Sequence, residues 1–228
     1  MIRRLAVAAV LALSIAVQLR AHDVSTTPIT WNREIARIIY DKCASSHRPG
    51  GTSFSLMTYP EVQPRAVAIR DAVLSRRMPP WGAVKGFGDF RNDQALTAEQ
   101  IELITDWVQD DTPKGNNARM LPPPPKFTPS APLAIPSNAM RVAEATTLRS
   151  PMTLDGLLPE HASDGMQVVA MHPDGSVEPL LWLSGYDERF RHPFLLRKPL
   201  LLEAGTIIRG VRPPASLLLL PAAAPGTH

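Results

Sequence analysis

The chain has 228 residues, 44% of them hydrophobic, and a formal net charge of only +3, which excludes a disordered polymer and gives no support for nucleic-acid binding. Its pI of about 9.3 comes from scattered basic residues rather than a basic run. A single cysteine excludes an intramolecular disulfide, and the length allows one large domain or two small ones.

In chain order, the first feature is Met1-Ile2-Arg3-Arg4, a short positive segment. An apolar run over residues 5–17 follows, with a small residue at Ala21. The run is short against the roughly 20 residues that span a bilayer. Residues 1–21 therefore read as a signal peptide that is cleaved, giving a periplasmic or secreted product with no stable membrane span. An uncleaved N-terminal anchor is the alternative. Cleavage after Ala21 would leave His22 as a flexible terminus.

Residues 29–115 carry three predicted helices. Asn32 suits an N-cap, and Ile35, Ile38 and Ile39 form one stripe running into Cys43. The second, over residues 60–76, keeps Val62, Ala66, Ile69, Val73 and Leu74 at helical spacing, with Pro64 near its start. Arg65, Arg70, Arg76 and Arg77 lie on or near it, as a solvated face or as a partner for a carboxylate. Between it and the third, residues 81–94 are loop, rich in glycine and aromatics. Thr97 and Gln100 make a capping box for the third, whose buried stripe is Ile101, Ile104, Trp107 and Val108.

Two stretches in this region carry chemistry. Cys43-Ala44-Ser45-Ser46-His47 is one letter short of C-x-x-C-H, in which two thiols bond to haem and the histidine binds its iron. Ser46 stands in the second thiol position, so one thioether at most remains, through Cys43. Downstream, Met78 is followed by Pro79, Pro80 and Trp81. Methionine opposite histidine is a common axial pair in haem proteins, and consecutive prolines hold such a residue rigid and outside helix.

The region from Thr30 to Lys114 resembles the small cytochrome c domain of secreted bacterial proteins. The residues that carry it are Ile29-Thr30-Trp31-Asn32, Cys43 to Gly50, Ser53 to Tyr59, Arg77 to Trp81, Leu96 to Gln100, and Trp107-Val108. The resemblance implies one covalently bound haem c with His47 proximal and Met78 distal, and Pro79 and Trp81 beside the cofactor. It also implies that the first helix delivers Cys43 and His47 to the haem edge and that the third packs across the first.

Residues 116–136 are proline-rich and read as an extended linker. From residue 137 to 220 the pattern turns to strands. Residues 167–171 and 177–183 flank Pro173-Asp174-Gly175, and residues 199–202 and 206–210 flank Glu203-Ala204-Gly205. Residues 221–228 form a tail. This part resembles, more weakly, the C-terminal domain of ascorbate-dependent type II copper monooxygenases. The family's His-x-His pair is missing: its place is taken by Glu160-His161-Ala162-Ser163-Asp164. His161, His172 and His192 fit no copper site, and copper is not expected.

The expected fold class is thus α + β in two domains: an all-α cytochrome c-like domain, a proline-rich linker and a small antiparallel, jelly-roll-like β-sandwich. The expected function is electron transfer with an unidentified redox partner protein, not enzymatic turnover. The alternatives are a haem-free binding or structural module and an accessory of a copper oxidoreductase system.

Overall fold

The computed structural model describes residues 27–127, 134–162 and 164–223. The signal peptide, His22, the middle of the linker and most of the tail lie outside the described residues. Among those described, no helix is long and apolar enough to cross a membrane.

The described residues are predominantly β, with three short helices of more than one turn. Strands β1 (Met140–Val142), β8 (Ser216–Pro221), β3 (Met152–His161) and β6 (Phe194–Leu202) form one antiparallel sheet in that order. Strands β2 (Thr146–Thr147), β7 (Ile207–Arg209), β4 (Gln167–Met171) and β5 (Val177–Trp182) form the other. Residues from both sheets share one core that includes Leu154, Val168, Leu181, Phe194, Ile208 and Leu219. β4 and β5 pair as the hairpin expected at Pro173-Asp174-Gly175, closed by Asp174 accepting from the Ser176 amide. The Glu203-Ala204-Gly205 turn instead carries the chain from one sheet to the other, since β6 and β7 belong to different sheets.

Helix α1 (Ala36–Lys42) continues from a π-turn over Trp31–Ile35. Its cap residue is Thr30, not Asn32. Asn32 is buried and its side chain donates to the Gly115 carbonyl at 3.0 Å, tying the helix to the segment that follows α3. The second predicted helix is broken. One turn, Tyr59–Val62, and a 3-10 turn, Gln63–Arg65, precede α2 (Ala66–Leu74). Pro64 has no N–H to give and its ring crowds the preceding turn, so the chain tightens there. Helix α3 (Ala98–Gln109) opens on the expected capping box: the Thr97 hydroxyl accepts from the Gln100 amide at 3.1 Å and the Gln100 side chain accepts from the Thr97 amide at 2.9 Å. Ile104 and Trp107 are buried with Trp31, Ile35, Ile39 and Val73 in a second, smaller core.

The expected fold class does not hold. The chain does not form an all-α cytochrome c-like domain followed by a separate β-sandwich. The overturning finding is the dominance of two antiparallel sheets over helices of 7, 9 and 12 residues. The physical reason lies in residues 81–92, part of the stretch 81–94 expected as loop. Trp81 and Phe90 instead belong to the core of the sheets. Ala83 bridges Leu183 beside β5, and Phe90 bridges Leu196 in β6. These are the outer strands of the two sheets, so this tongue covers one edge of each and satisfies backbone groups that an open edge would expose.

Candidate functional site

Cys43 and His47 sit on a tight turn leaving α1. The Cys43 amide donates to Ile39 O at 2.9 Å as a last helical bond, and the His47 amide donates to Cys43 O at 2.9 Å. Ser46 O then accepts from Ser53 N at 3.1 Å, and His47 O accepts from Leu56 N at 3.0 Å, closing the loop over Pro49 and Gly50. A Cβ added at Gly51 would stand 2.3 Å from Ser46 O, so only glycine lets the chain pass so close.

The His47 ring is fixed. Its Nδ1 lies 3.0 Å from the Phe54 carbonyl and its ring meets Phe54 edge-on at 4.7 Å. A carbonyl only accepts, so Nδ1 carries the proton and the lone pair is left on Nε2. That is the tautomer a metal-binding histidine needs, held by the kind of backbone bond that orients such ligands. On the histidine side, therefore, the residues present fit a haem iron. Arg65 sits 5.1 Å over the same Phe54 ring, which brings a guanidinium next to this turn. Arg48 lies 4.4 Å over Phe127, so the described end of the linker folds back on the turn rather than leaving it.

Cys43 is half-buried and packs against the helical core. Burial first, and the nearby Asp41 charge second, push its thiol up to about 12. It is therefore a protonated thiol in the folded chain and a poor nucleophile. Ser46 is exposed.

Met78 leaves α2 through a tight cap. Arg76 takes a left-handed conformation (φ 54°), Arg76 N donates to Val73 O, and Arg77 N and Met78 N both donate to Ala72 O. Met78 is half-buried, outside regular helix and followed by two prolines, as a rigid ligand requires. The Pro79 carbonyl accepts from Trp81 N at 2.8 Å, turning the chain at once into the tongue.

Trp81 lies in the sheet core, whereas Cys43 packs against the helical core. Trp81 stacks on His192 at 5.1 Å with 20° between the rings, and it packs edge-on against Phe90 and Phe194. His192 donates from Nδ1 to the Phe190 carbonyl at 2.7 Å. Its Nε2 is buried with no hydrogen bond of normal geometry, although the Trp81 backbone lies close enough to favour a proton there. Burial dominates and pulls the imidazole below its ordinary pKa. The other two histidines among the described residues stand apart: His161 is exposed with Nδ1 3.9 Å from Glu188, and His172 lies in the β4–β5 hairpin. Among the described residues, no group of three or more His, Cys, Asp or Glu side chains could hold a metal ion.

The β core also carries two open grooves. One, of about 1100 Å³, is lined by Met140, Glu144, Arg149 and Met152 among others. The other, of about 740 Å³, runs beside the tongue past Lys85, Asp89, Glu178 and Arg197. Both mix charges of either sign and favour no ligand class.

The chain matches no family model, no curated protein and no solved structure. No relative's activity is carried over to it. Phe54 and the tongue are the parts of the site that sequence reasoning missed. Only the spacing of Phe54 from His47 lay in the sequence, and spacing alone does not place a carbonyl on a ring nitrogen.

Proposed function

We propose that the chain is an exported electron carrier that binds one haem c through His47 and Met78, with a single thioether at Cys43. The observation that supports this most is the fixed His47 ring, whose Nδ1–H is committed to Phe54 O on the same turn that carries Cys43. When bound, haem supplies a centre that gains and loses one electron reversibly. His47 presents Nε2 and is kept from rotating by Phe54. Met78 presents a soft thioether sulfur, a ligand that raises the reduction potential, from a chain held rigid by Pro79 and Pro80. Cys43 tethers the cofactor, and Arg65 places positive charge beside the turn for one of its carboxylates. His47 and Met78 would be the protein ligands of that group, which would carry electrons rather than turn over a substrate. The partner is a redox protein that gives or takes one electron.

One observation favours a second reading, a haem-free binding or structural module: Ser46 cannot form the second thioether. The test is the absorbance of the full chain matured in a host that attaches haem c. The expected result is a Soret and an α band together with the near-infrared sulfur-to-iron band. Met78→Ala is expected to abolish the near-infrared band and keep the other two. A colourless product favours the second reading, and a band unchanged by Met78→Ala refutes the axial role of that residue.

A further inference from the structure

We infer that the tongue, residues 81–92, is a positioning device that makes the β core responsible for holding Met78 in place; this rests on the haem reading above. Three observations converge on it. First, the tongue starts only three residues after Met78, across two prolines that transmit its position instead of absorbing motion. Secondly, its root is locked. Ser184 N donates to Gly82 O at 2.9 Å and Val84 N donates to Trp182 O at 2.8 Å. Gly82 has φ 73°, and a Cβ there would lie 2.9 Å from the Tyr186 ring and 3.1 Å from the Tyr186 Cα. The Gly82 backbone stands against the ring, Cβ and Cα of Tyr186 at this point, with no slack for a side chain.

Thirdly, the far end is locked to the other sheet by bonds that have no bearing on the histidine turn. Arg197 N donates to Asp89 O and Arg91 N donates to Leu195 O, both at 2.9 Å. The Asn92 amide brackets the same strand: its Nδ2 donates to Pro193 O at 2.9 Å and its Oδ1 accepts from Leu195 N at 3.0 Å. The Arg91 guanidinium closes on Asp155 with two bonds of 2.9 and 2.7 Å. Between root and tip, Trp81 and Phe90 fill the sheet core. A ligand methionine on a mobile loop exchanges readily with outside ligands, whereas one anchored on both sides does not. The β part of the molecule thus acts on the site through Met78, without touching a ligand of its own.

The experiment uses the full chain and three variants. Asn92→Ala removes the bracket at the tip, Gly82→Ala forces the root away from Tyr186, and Thr97→Ala weakens the cap of α3 with the tongue untouched. Imidazole is titrated against the iron as a competitor for the Met78 position. Asn92→Ala and Gly82→Ala are expected to bind it about tenfold more tightly and to weaken the near-infrared band, while Thr97→Ala stays near the parent. Equal imidazole affinity in parent, Asn92→Ala and Gly82→Ala, all folded, overturns the inference. Equal loosening by Thr97→Ala also overturns it, because general destabilisation would then explain the effect. If the matured protein carries no haem, the haem reading fails and hydrogen exchange decides on the tongue alone. Faster exchange at the Met78 and Trp81 amides in Asn92→Ala upholds the anchoring, and unchanged exchange refutes it.

Discussion

At the scale of single residues, two histidines show how surroundings decide what an imidazole does. His47 has one nitrogen committed to a carbonyl, and His192 has one too, yet their surroundings differ. His192 is enclosed by Trp81, Tyr186 and Phe194, and burial holds it below its ordinary pKa of 6.5. Tyr186, the titratable ring packed on it, is pushed the other way by the same burial, so its phenol stays neutral beside the imidazole. In the unfolded chain His192 takes up a proton as pH falls through about 6.5, whereas in the folded chain it resists. Stability is therefore flat above that pH on this account, and declines as pH falls from 6.5 toward the lowered folded value. Thermal melts of the parent and His192→Asn across this range test it. The parent is expected to lose more stability on acidification than the variant, and parallel curves would remove His192 from the account.

At the scale of elements, the legible parts were those whose cause is local. The capping box of α3 needs only Thr97 and Gln100, and the β4–β5 hairpin needs only Pro173-Asp174-Gly175; both formed as read. Asn32 misled because its partner, the Gly115 carbonyl, lies 83 residues away, and a side chain that bonds at long range looks in sequence like a cap. Helix α2 came out shorter than its apolar periodicity because Pro64 interrupts hydrogen bonding that periodicity cannot register. The tongue was beyond reach for the same reason on a larger scale. Its glycines and aromatics read as a loop, and the strands it pairs with begin about a hundred residues later, the separation seen in the Asn92–Pro193 bond. That pairing has an energetic consequence. Phe90 is 5% exposed and packed against Trp81 and Phe194, so Phe90→Ala is expected to lower unfolding stability by about 3–5 kcal/mol, read from denaturant titration. A loss below about 1 kcal/mol would mean that the tongue only rests on the sheets.

At the scale of the whole molecule, the two cores are joined by more than a linker. The chain leaves the helical core after Val73, enters the sheet core at Trp81 and Phe90 in the tongue, and returns to the helical core at Leu96. Lys42 at the end of α1 donates to the Asp93 carbonyl at 3.3 Å, fastening the return. A cofactor held by His47 from one side and Met78 from the other would draw on both cores at once. The break at Pro49-Gly50-Gly51 was legible in the sequence because consecutive turn residues define it. The tongue inferred to hold Met78 was not, because its bonding partners lie in the far half of the chain.

The central claim is that Cys43 carries a haem and that Ser46 does not abolish this. The most direct measurement is the intact mass and thiol content of the matured, denatured full chain after acid–organic extraction. The account predicts a polypeptide heavier by one haem with no reactive thiol at Cys43. A polypeptide at its bare mass with one titratable thiol would contradict it.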